Sequence, residues 1–568
     1  MATVDGGELV VRMLEREGVK QVYALQGGHI DTIMQACLDH GVKIYDTRHE
    51  QAAGHMADAY ARLTGRPGVV VVTAGPGVTD VVTAVANAHL DAVPMVVLGG
   101  RYPLAEEEMM PLQELQGVAL MQSITKWVRL VRDPKRIPEY MAMAFREATT
   151  GRPGPVFLEL PVDVLTAEVD DGAVAVPQTR PQQAPAPSPE AVEMALALLA
   201  QAKRPLIMAG RGVWLAGAAA ELRQFAELTQ MPVIANGMAR GALPEDEHPL
   251  SFGSFVTAGT TFLPAAGGPD VVLLLGGRFG LFTGGTSSFI PAQATVIQVD
   301  VAGEEIGRFR DVQLGIVADC RETLRAFIAA AQGRTFEPQR EWLDALSRGQ
   351  AAFRAGFKSV ALNSSEECIH PYRLAYEVNR YLGGDAIIVA DGGEMAIWME
   401  LAVTPKRPGS YLFHGYLGCL GTGIPFGLAA KAAFPDRRVA VITGDGSVGL
   451  NFAEFDTAVR HRLPIVVVIG NDQAWGMCRH EQMVRYGAER IVATELGPTR
   501  YEKAAEGFGV HAEFVERATD IVPALERAFA SGLPACVNVM TDPGVISPMV
   551  LATTSPAVRP RPVPQGSR

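Results

Sequence analysis

Asp445 and Asp472 are two acids whose surroundings suggest metal chemistry. Asp445 lies in Thr443-Gly444-Asp445-Gly446-Ser447-Val448-Gly449, which contains a complete G-x-G-x-x-G, follows the apolar run RRVAVI and opens a helical segment. Such a loop could seat a dinucleotide pyrophosphate on its amides at the helix N-terminus. A carboxylate in the middle of that loop would repel the pyrophosphate, so Asp445 needs a cation. The helix NFAEFDTAVRHRL and the strand PIVVVIG then carry the chain to Asp472, at the carboxyl end of the neighbouring strand. A dinucleotide site would place Asp472 on a ribose and leave Asp445 unexplained. Both acids are explained as hard oxygen ligands of an octahedral Mg2+ that also accepts phosphate oxygens.

The elements that must place these acids are legible as β-branched runs alternating with helical segments. GVVVVTA (68–74), PMVVLGG (94–100), PLIMAG (205–210), DVVLLLGG (270–277), AIIVADGG (386–393), RVAVITGDG (438–446) and PIVVVIGND (464–472) read as strands of parallel sheets covered by helices on both faces. The Pro/Ala/Gln-rich stretch 171–190 and a polar stretch near 333–370 that loses strand character read as linkers. The fold class expected is α/β, with three doubly wound parallel-sheet domains over 1–170, 188–335 and 365–545. Residues 546–568 read as a frayed tail or as a lid over a site.

Composition excludes several functions. With 48% hydrophobic and 20% charged residues, the 568-residue chain is globular rather than disordered or fibrous. The net charge of −12 and the lack of any Lys/Arg block argue against nucleic acid and anionic membrane as partners. Six cysteines without a C-x-x-C pair exclude a disulfide framework or structural zinc and fit a reducing cytoplasm. The N-terminal segment reads as an amphipathic helix, and no apolar run is long enough to span a bilayer. A cytoplasmic protein acting on a small molecule is expected.

Gly444-Asp445-Gly446 followed by Asn471-Asp472 resembles the motif of the thiamine-diphosphate-dependent enzymes, in which GDG and a spacer of this length usually precede Asn-Asn. The resemblance covers nearly the whole chain and implies pyrimidine-binding, central and diphosphate-binding domains in that order. It implies that Asp445, Asp472 and the carbonyl of Ala474 hold Mg2+, with Gly444, Gly446 and Ser447 around the diphosphate of thiamine diphosphate. Asp472 replaces the usual second Asn; it keeps an oxygen donor and adds a negative charge. The resemblance further implies that Glu50, in DTRHEQAAGH, activates the cofactor by hydrogen-bonding its aminopyrimidine ring, and that Thr73 and Gly75, in TAGPG, flank that ring. Leu420 would bend the cofactor, the Gly418 carbonyl would face its amine, and His414 lies in the same FHGYLGCLG stretch. It also implies a homo-oligomer, a dimer or a tetramer, with each site shared between two copies.

Within that family the chain resembles benzaldehyde lyase and the 2-hydroxyacyl-CoA lyases. His29 and Gln113 match polar residues of the former's substrate pocket. Glu481 stands where that lyase has an aromatic residue and Val162 where it has a Trp, so the pocket gains a carboxylate that could serve as a proton carrier. In the central domain, MAGRGVWLAG resembles a turn that meets the nucleotide part of CoA, with Arg211, and with Arg278 and Asp300 at later strand ends. The resemblance implies a Mg2+-dependent carbon–carbon lyase/carboligase. Its preferred reaction is cleavage of 2-hydroxyacyl-CoA to formyl-CoA and an aldehyde or ketone. Benzaldehyde lyase-type acyloin chemistry and acetolactate synthase-like activity are the alternatives within the family, and an FAD- or NAD-binding oligomer is the alternative outside enzymes.

Overall fold

The runs expected as strands form three parallel sheets in the computed structural model, which describes residues 3–177, 183–280, 283 and 289–554. The central strands Gly68–Val72, Val271–Leu275 and Val466–Asn471 are buried along their whole lengths, which is why they read as continuous apolar runs rather than as alternating ones. In spatial order the first sheet runs Lys43–Asp46, Gln21–Leu25, Gly68–Val72, Met95–Arg101, Pro155–Pro161, Trp127–Leu130. The third runs Tyr411–Phe413, Ile387–Ala390, Val439–Gly444, Val466–Asn471, Ala535–Met540, His511–Val515. Numbered along the chain, both sheets have the order 2-1-3-4-6-5, so the outer domains repeat one topology. The central sheet, built from strands between Pro205 and Val317, has five strands in the order 2-1-3-4-5. The short antiparallel pair Thr3–Val4 with Val169–Asp170 closes the two ends of the first domain on each other.

The outer domains share a core. Helix Glu50–Thr64, which follows the second strand of the first sheet, packs on helix Gly423–Ala433, which follows the second strand of the third. Met56, Ala57, Phe426 and Leu428 belong to one buried cluster that spans both domains. Both helices are rich in Ala and Gly, and these small side chains let the backbones approach closely.

The stretch expected as a second linker contains helix Arg340–Asn363, whose Trp342 and Leu346 are buried against the central domain. Its polarity comes from the outward faces of a long surface helix rather than from an unstructured connection. Of the segment expected as a tail or lid, residues 555–568 lie outside the described residues. Within the described part, Pro548–Thr553 is a helix capped by Ser547, with Val550 fully buried. No helix among the described residues is long and apolar enough to cross a membrane.

Phe426 packs its ring edge-to-face against His55 and lies under the Arg62 guanidinium, so it joins the two outer domains. Phe426→Ala is expected to cost about 3–5 kcal/mol, as for other buried aromatic truncations. Denaturant unfolding followed by a probe in each outer domain should show both transitions shifting together.

Candidate active site

The parallel ladder brings the two acids together. Val439–Gly444 and Val466–Asn471 are adjacent and in register with Gly444 opposite Gly470, so the residues leaving their carboxyl ends emerge side by side. Asp445 begins the short helix Asp445–Val448 and is 1% exposed, and among the described residues its Oδ2 has no hydrogen-bond partner. Asp472 Oδ1 accepts the Ala474 N–H (3.3 Å), and Gln473 between them adopts φ +59°, a left-handed conformation unusual for a non-glycine residue. A Cβ on Gly476 would lie 2.2 Å from Asp472 Oδ2, and one on Gly446 would lie 2.6 Å from the Trp475 ring, so both glycines are needed for close approach. Burial, with the Asp472 carboxyl beside it, pushes the Asp445 carboxyl up to about 8. Burial, with Glu394 nearby, also raises Asp472. Two buried carboxyl groups side by side, both raised by burial, form a donor set suited to a hard divalent cation and to the phosphate oxygens it would carry.

A cavity of about 460 Å3 opens over these acids, lined by Asp445, Gly446, Ser447, Asp472 and Ala474, and by His414, Gly418 and Leu420 from the loop after Tyr411–Phe413. Gly418 has φ +67°. The His414 Nδ1 hydrogen-bonds the Gly415 carbonyl (3.0 Å), which only accepts, so in the neutral ring Nδ1 carries the proton and Nε2 is free to accept. Burial lowers the His414 pKa and favours that neutral form.

The first domain presents a second cluster, also at strand carboxyl ends. Glu50 is the first residue of helix Glu50–Thr64 and is buried; burial first, then Asp80, raises its carboxyl. His29 Nδ1 lies 3.3 Å from Thr73 Oγ1, and burial lowers its pKa. Gly75 (φ +59°) turns beneath Gln113, leaving a Cβ there only 2.7 Å from the Gln113 Cβ. Gln113 itself has φ +66° and a buried Oε1 without a partner. The structure therefore brings His29, Thr73, Gly75 and Gln113 together. None of them, nor Glu50, lines the cavity over Asp445.

The other expected positions divide. Arg211, Arg278 and Asp300 all line a cavity of about 730 Å3 beside the central domain. Arg211 donates to Asp91 (3.3 Å) and Arg278 to the Leu90 carbonyl (2.8 Å), while burial pushes Asp300 up to about 6. Ile397, Phe413, Gly415, Tyr416 and Met549 line both this cavity and the one over Asp445. Glu481 and Val162 line neither. Met477 and Cys478 line the Asp445 cavity, and Glu481 stands one helical turn beyond Met477.

Three features went unread in the sequence. Asp391, 1% exposed, accepts the hydroxyls of Ser447 (2.7 Å), Thr443 (3.2 Å) and Thr422 (3.3 Å) and so braces the glycine loop. Glu394 pairs with His480 Nδ1 (2.5 Å) and accepts the Ser547 N–H (2.8 Å), while His480 Nε2 donates to the Pro543 carbonyl (2.9 Å). This chain of bonds ties the 541–554 segment over the cavity. The buried Arg62 pairs with Asp58 (2.6 Å) and Asp91 (2.7 Å) and reaches the Phe413 carbonyl (3.3 Å). The signal for Asp391 was available, since DGG follows a strand as GDG does; the partners of Glu394 and Arg62 are too distant in sequence to suggest themselves.

Three family models match the chain: the N-terminal TPP binding domain of thiamine pyrophosphate enzymes over residues 4–120, their central domain over 192–327 and their C-terminal TPP binding domain over 391–539. The acetolactate synthase large subunit of Mycobacterium tuberculosis is 36% identical over 554 residues, covering 96% of this chain and 97% of that protein. The acetolactate synthase isozyme 1 large subunit of Escherichia coli is 32% identical, with 94% of each chain covered. The human 2-hydroxyacyl-CoA lyase 2 is also 32% identical, covering 94% of this chain and 90% of that protein.

A carboxyl raised in the folded chain holds a proton that the unfolded chain releases, so its stabilising contribution is complete at low pH and is lost as pH rises through the folded value. With chelator present, the melting temperature is therefore expected to fall as pH climbs toward the value of about 8 given by Asp445. Mg2+ should flatten this slope, and Asp445→Asn should remove both the slope and the Mg2+ effect. An Asp445→Asn protein with the wild-type slope would reject the pair as its source. Asp472→Asn, which leaves the Asp445 carboxylate in place and keeps an oxygen donor beside it, should retain the Mg2+ effect.

Proposed function

The chain belongs to the thiamine pyrophosphate enzyme family, and from that premise we propose that it is a carbon–carbon lyase and carboligase whose preferred substrate is a 2-hydroxyacyl-CoA, split to formyl-CoA and an aldehyde or ketone. Thiamine diphosphate, when bound, supplies a carbon nucleophile for a carbonyl and accepts the electron pair of the neighbouring carbon–carbon bond. Asp445, Asp472 and the Ala474 carbonyl are the proposed ligands of its Mg2+.

The chain's own residues manage protons and orientation. The raised carboxyl of Glu50 favours a proton on its oxygen, available to a ring nitrogen of the cofactor. Leu420 and Gly418 shape the cavity against the rings. His29, kept neutral by burial, and His414, with Nε2 free to accept, are positioned to take the proton of a substrate hydroxyl as the carbon–carbon bond breaks. Gln113 turns its unpartnered Oε1 toward the same cluster. Glu481 lines neither cavity and takes no part in this scheme. Because the Glu50 and Asp445 clusters share no cavity within one chain, we place the complete site between two copies.

The observation that favours a CoA thioester over a small ketone is the wall common to the two cavities. A molecule with its acyl end over Asp445 and its nucleotide beside Arg211, Arg278 and the Gly210–Gly212 loop would run past that wall without leaving protein. A second reading, condensation of two small 2-oxo acids to an acetolactate, is favoured by the similarity to the two synthases.

Purified protein with thiamine diphosphate and Mg2+ is to be incubated separately with a 2-hydroxyacyl-CoA, benzoin and pyruvate. Formyl-CoA is expected as the fastest product. Acetolactate as the dominant product would overturn the lyase reading in favour of the synthase, and benzaldehyde from benzoin as the fastest product would move the substrate to aryl acyloins. Glu50→Gln should remain folded and bind Mg2+, while exchange of the cofactor's C2 proton slows by about 10²–10⁴.

A further inference from the structure

Glu454 is a buried acid that the chemistry above does not use. It begins helix Glu454–Arg460 and is 1% exposed. Among the described residues its hydrogen-bond donors are the Arg48 N–H, 3.1 and 3.2 Å from its two oxygens, and the Thr457 hydroxyl at 2.6 Å, and it makes no ion pair. A carboxylate buried without a cationic partner is costly, and an amide or apolar residue would fill the same space at less cost. What it holds is specific: Arg48 lies two residues before Glu50, in the turn that aims Glu50 out of its sheet.

The same helix grips this turn elsewhere. Arg460 Nη2 donates to the Asp46 carbonyl (2.9 Å), Arg460 Nη1 pairs with the Asp46 carboxylate, and His461 Nε2 lies 2.9 Å from Asp46 Oδ1. The helix is itself fixed to the glycine loop. Gly421 N–H donates to Ser447 Oγ (2.8 Å), and Asn451 Nδ2 donates to the Gly421 carbonyl (2.7 Å), three residues before Glu454. Thus the segment that carries Asp445 continues directly into the helix that holds the Glu50 turn of the same chain.

We propose that Glu454 is a positioning residue that sets the Arg48–Glu50 turn from the diphosphate domain of its own chain. The inference deepens the reading of Glu50 given above and rests on it. The carboxylate, accepting through both oxygens, fixes the direction of the Arg48 amide and with it the start of helix Glu50–Thr64, so that Glu50 is delivered in one orientation. Where the complete site lies between two copies, the diphosphate domain of one chain thereby orients the acid that serves its neighbour's cavity.

Amide hydrogen exchange on the cofactor-free protein reads this directly, without turnover. In Glu454→Ala, exchange at Arg48 and Gln51 should accelerate about tenfold or more, as expected on losing a hydrogen bond to a charged group. Core amides such as Val70 and Val467 should exchange as in wild type. In the loaded enzyme, kcat should fall with KM unchanged, and Glu454→Gln, which keeps one acceptor oxygen, should recover part of both losses. Uniform acceleration across the chain, or wild-type exchange at Arg48 in a folded Glu454→Ala, would overturn the proposal. If the alanine variant does not fold, Glu454→Gln and Thr457→Val carry the test: intermediate acceleration at Arg48 supports it, and wild-type exchange in both overturns it. Glu50→Gln should leave Arg48 exchange unchanged, so full activity in that variant would sink the Glu50 assignment while the exchange result still decides Glu454.

Discussion

Two carboxyl groups buried side by side at the ends of neighbouring strands set the terms for the third domain. The register that places Gly444 opposite Gly470 holds Asp445 and Asp472 side by side, and burial raises both, Asp445 further through Asp472 beside it. Glu394 adds a third carboxyl to the neighbourhood, and it is the one supplied with a counter-charge, from His480. A hard cation from outside the chain would meet the need of the other two. That need accounts for the small residues around the pair, since Gly446 and Gly476 allow Trp475 and the Asp472 carboxylate to close in, and for the hydroxyls that Asp391 gathers to stiffen the loop.

A second constraint acts between domains. The outer sheets have the same strand order, and their corresponding helices pack on each other around a common apolar cluster. Arg62, at the C-terminal end of one of these helices, neutralises Asp58 and Asp91 and caps the Phe413 carbonyl, while Arg211 of the central domain also reaches Asp91. The Trp214 indole N–H completes the junction by donating to the Arg62 carbonyl at 2.5 Å. Three domains thus meet at a buried cluster that borders the larger cavity. With the outer domains fixed in this way, Glu50 does not line the cavity over Asp445.

The sequence disclosed most of what depends on short-range pattern. β-branched runs marked the strands because parallel strands buried on both faces admit few other residues, and Asp445 was informative because a carboxylate contradicts the loop it occupies. Long-range electrostatics were not legible. Glu394 and His480 lie 86 positions apart, and Arg48 and Glu454 lie 406 apart, so nothing local signals that they pair. Residues 333–370 misled for a different reason: a surface helix presents mostly polar residues, and the few apolar positions of Arg340–Asn363 that pack, such as Trp342 and Leu346, are too sparse to stand out from a polar linker. Glu481 lies on helix Gly476–Tyr486 after Asp472, but which turn of that helix lines the cavity depends on tertiary packing.

Substrate choice must then be sought away from the carboxylates. The features that fit a diphosphate and its metal are the Asp pair, the glycine loop and its Asp391 brace, and these constrain the part of the ligand that does not react. The wall of Ile397, Phe413, Gly415, Tyr416 and Met549 is different, because it borders both the space over Asp445 and the space beside Arg211 and Arg278. A side chain there can admit a long ligand to both cavities or confine a short one to the first, without touching the metal ligands. Met549 is brought to that wall by the segment that Glu394 secures through Ser547, so the shape of the wall depends on a hydrogen bond made beside the Asp pair. A flexible, unbranched methionine at this position adapts its contour to what passes more readily than a branched or aromatic residue would. A fold that holds one cofactor can in this way differ in substrate through a few apolar positions and the segment that supports them, and the chain is similar to both synthases and a lyase.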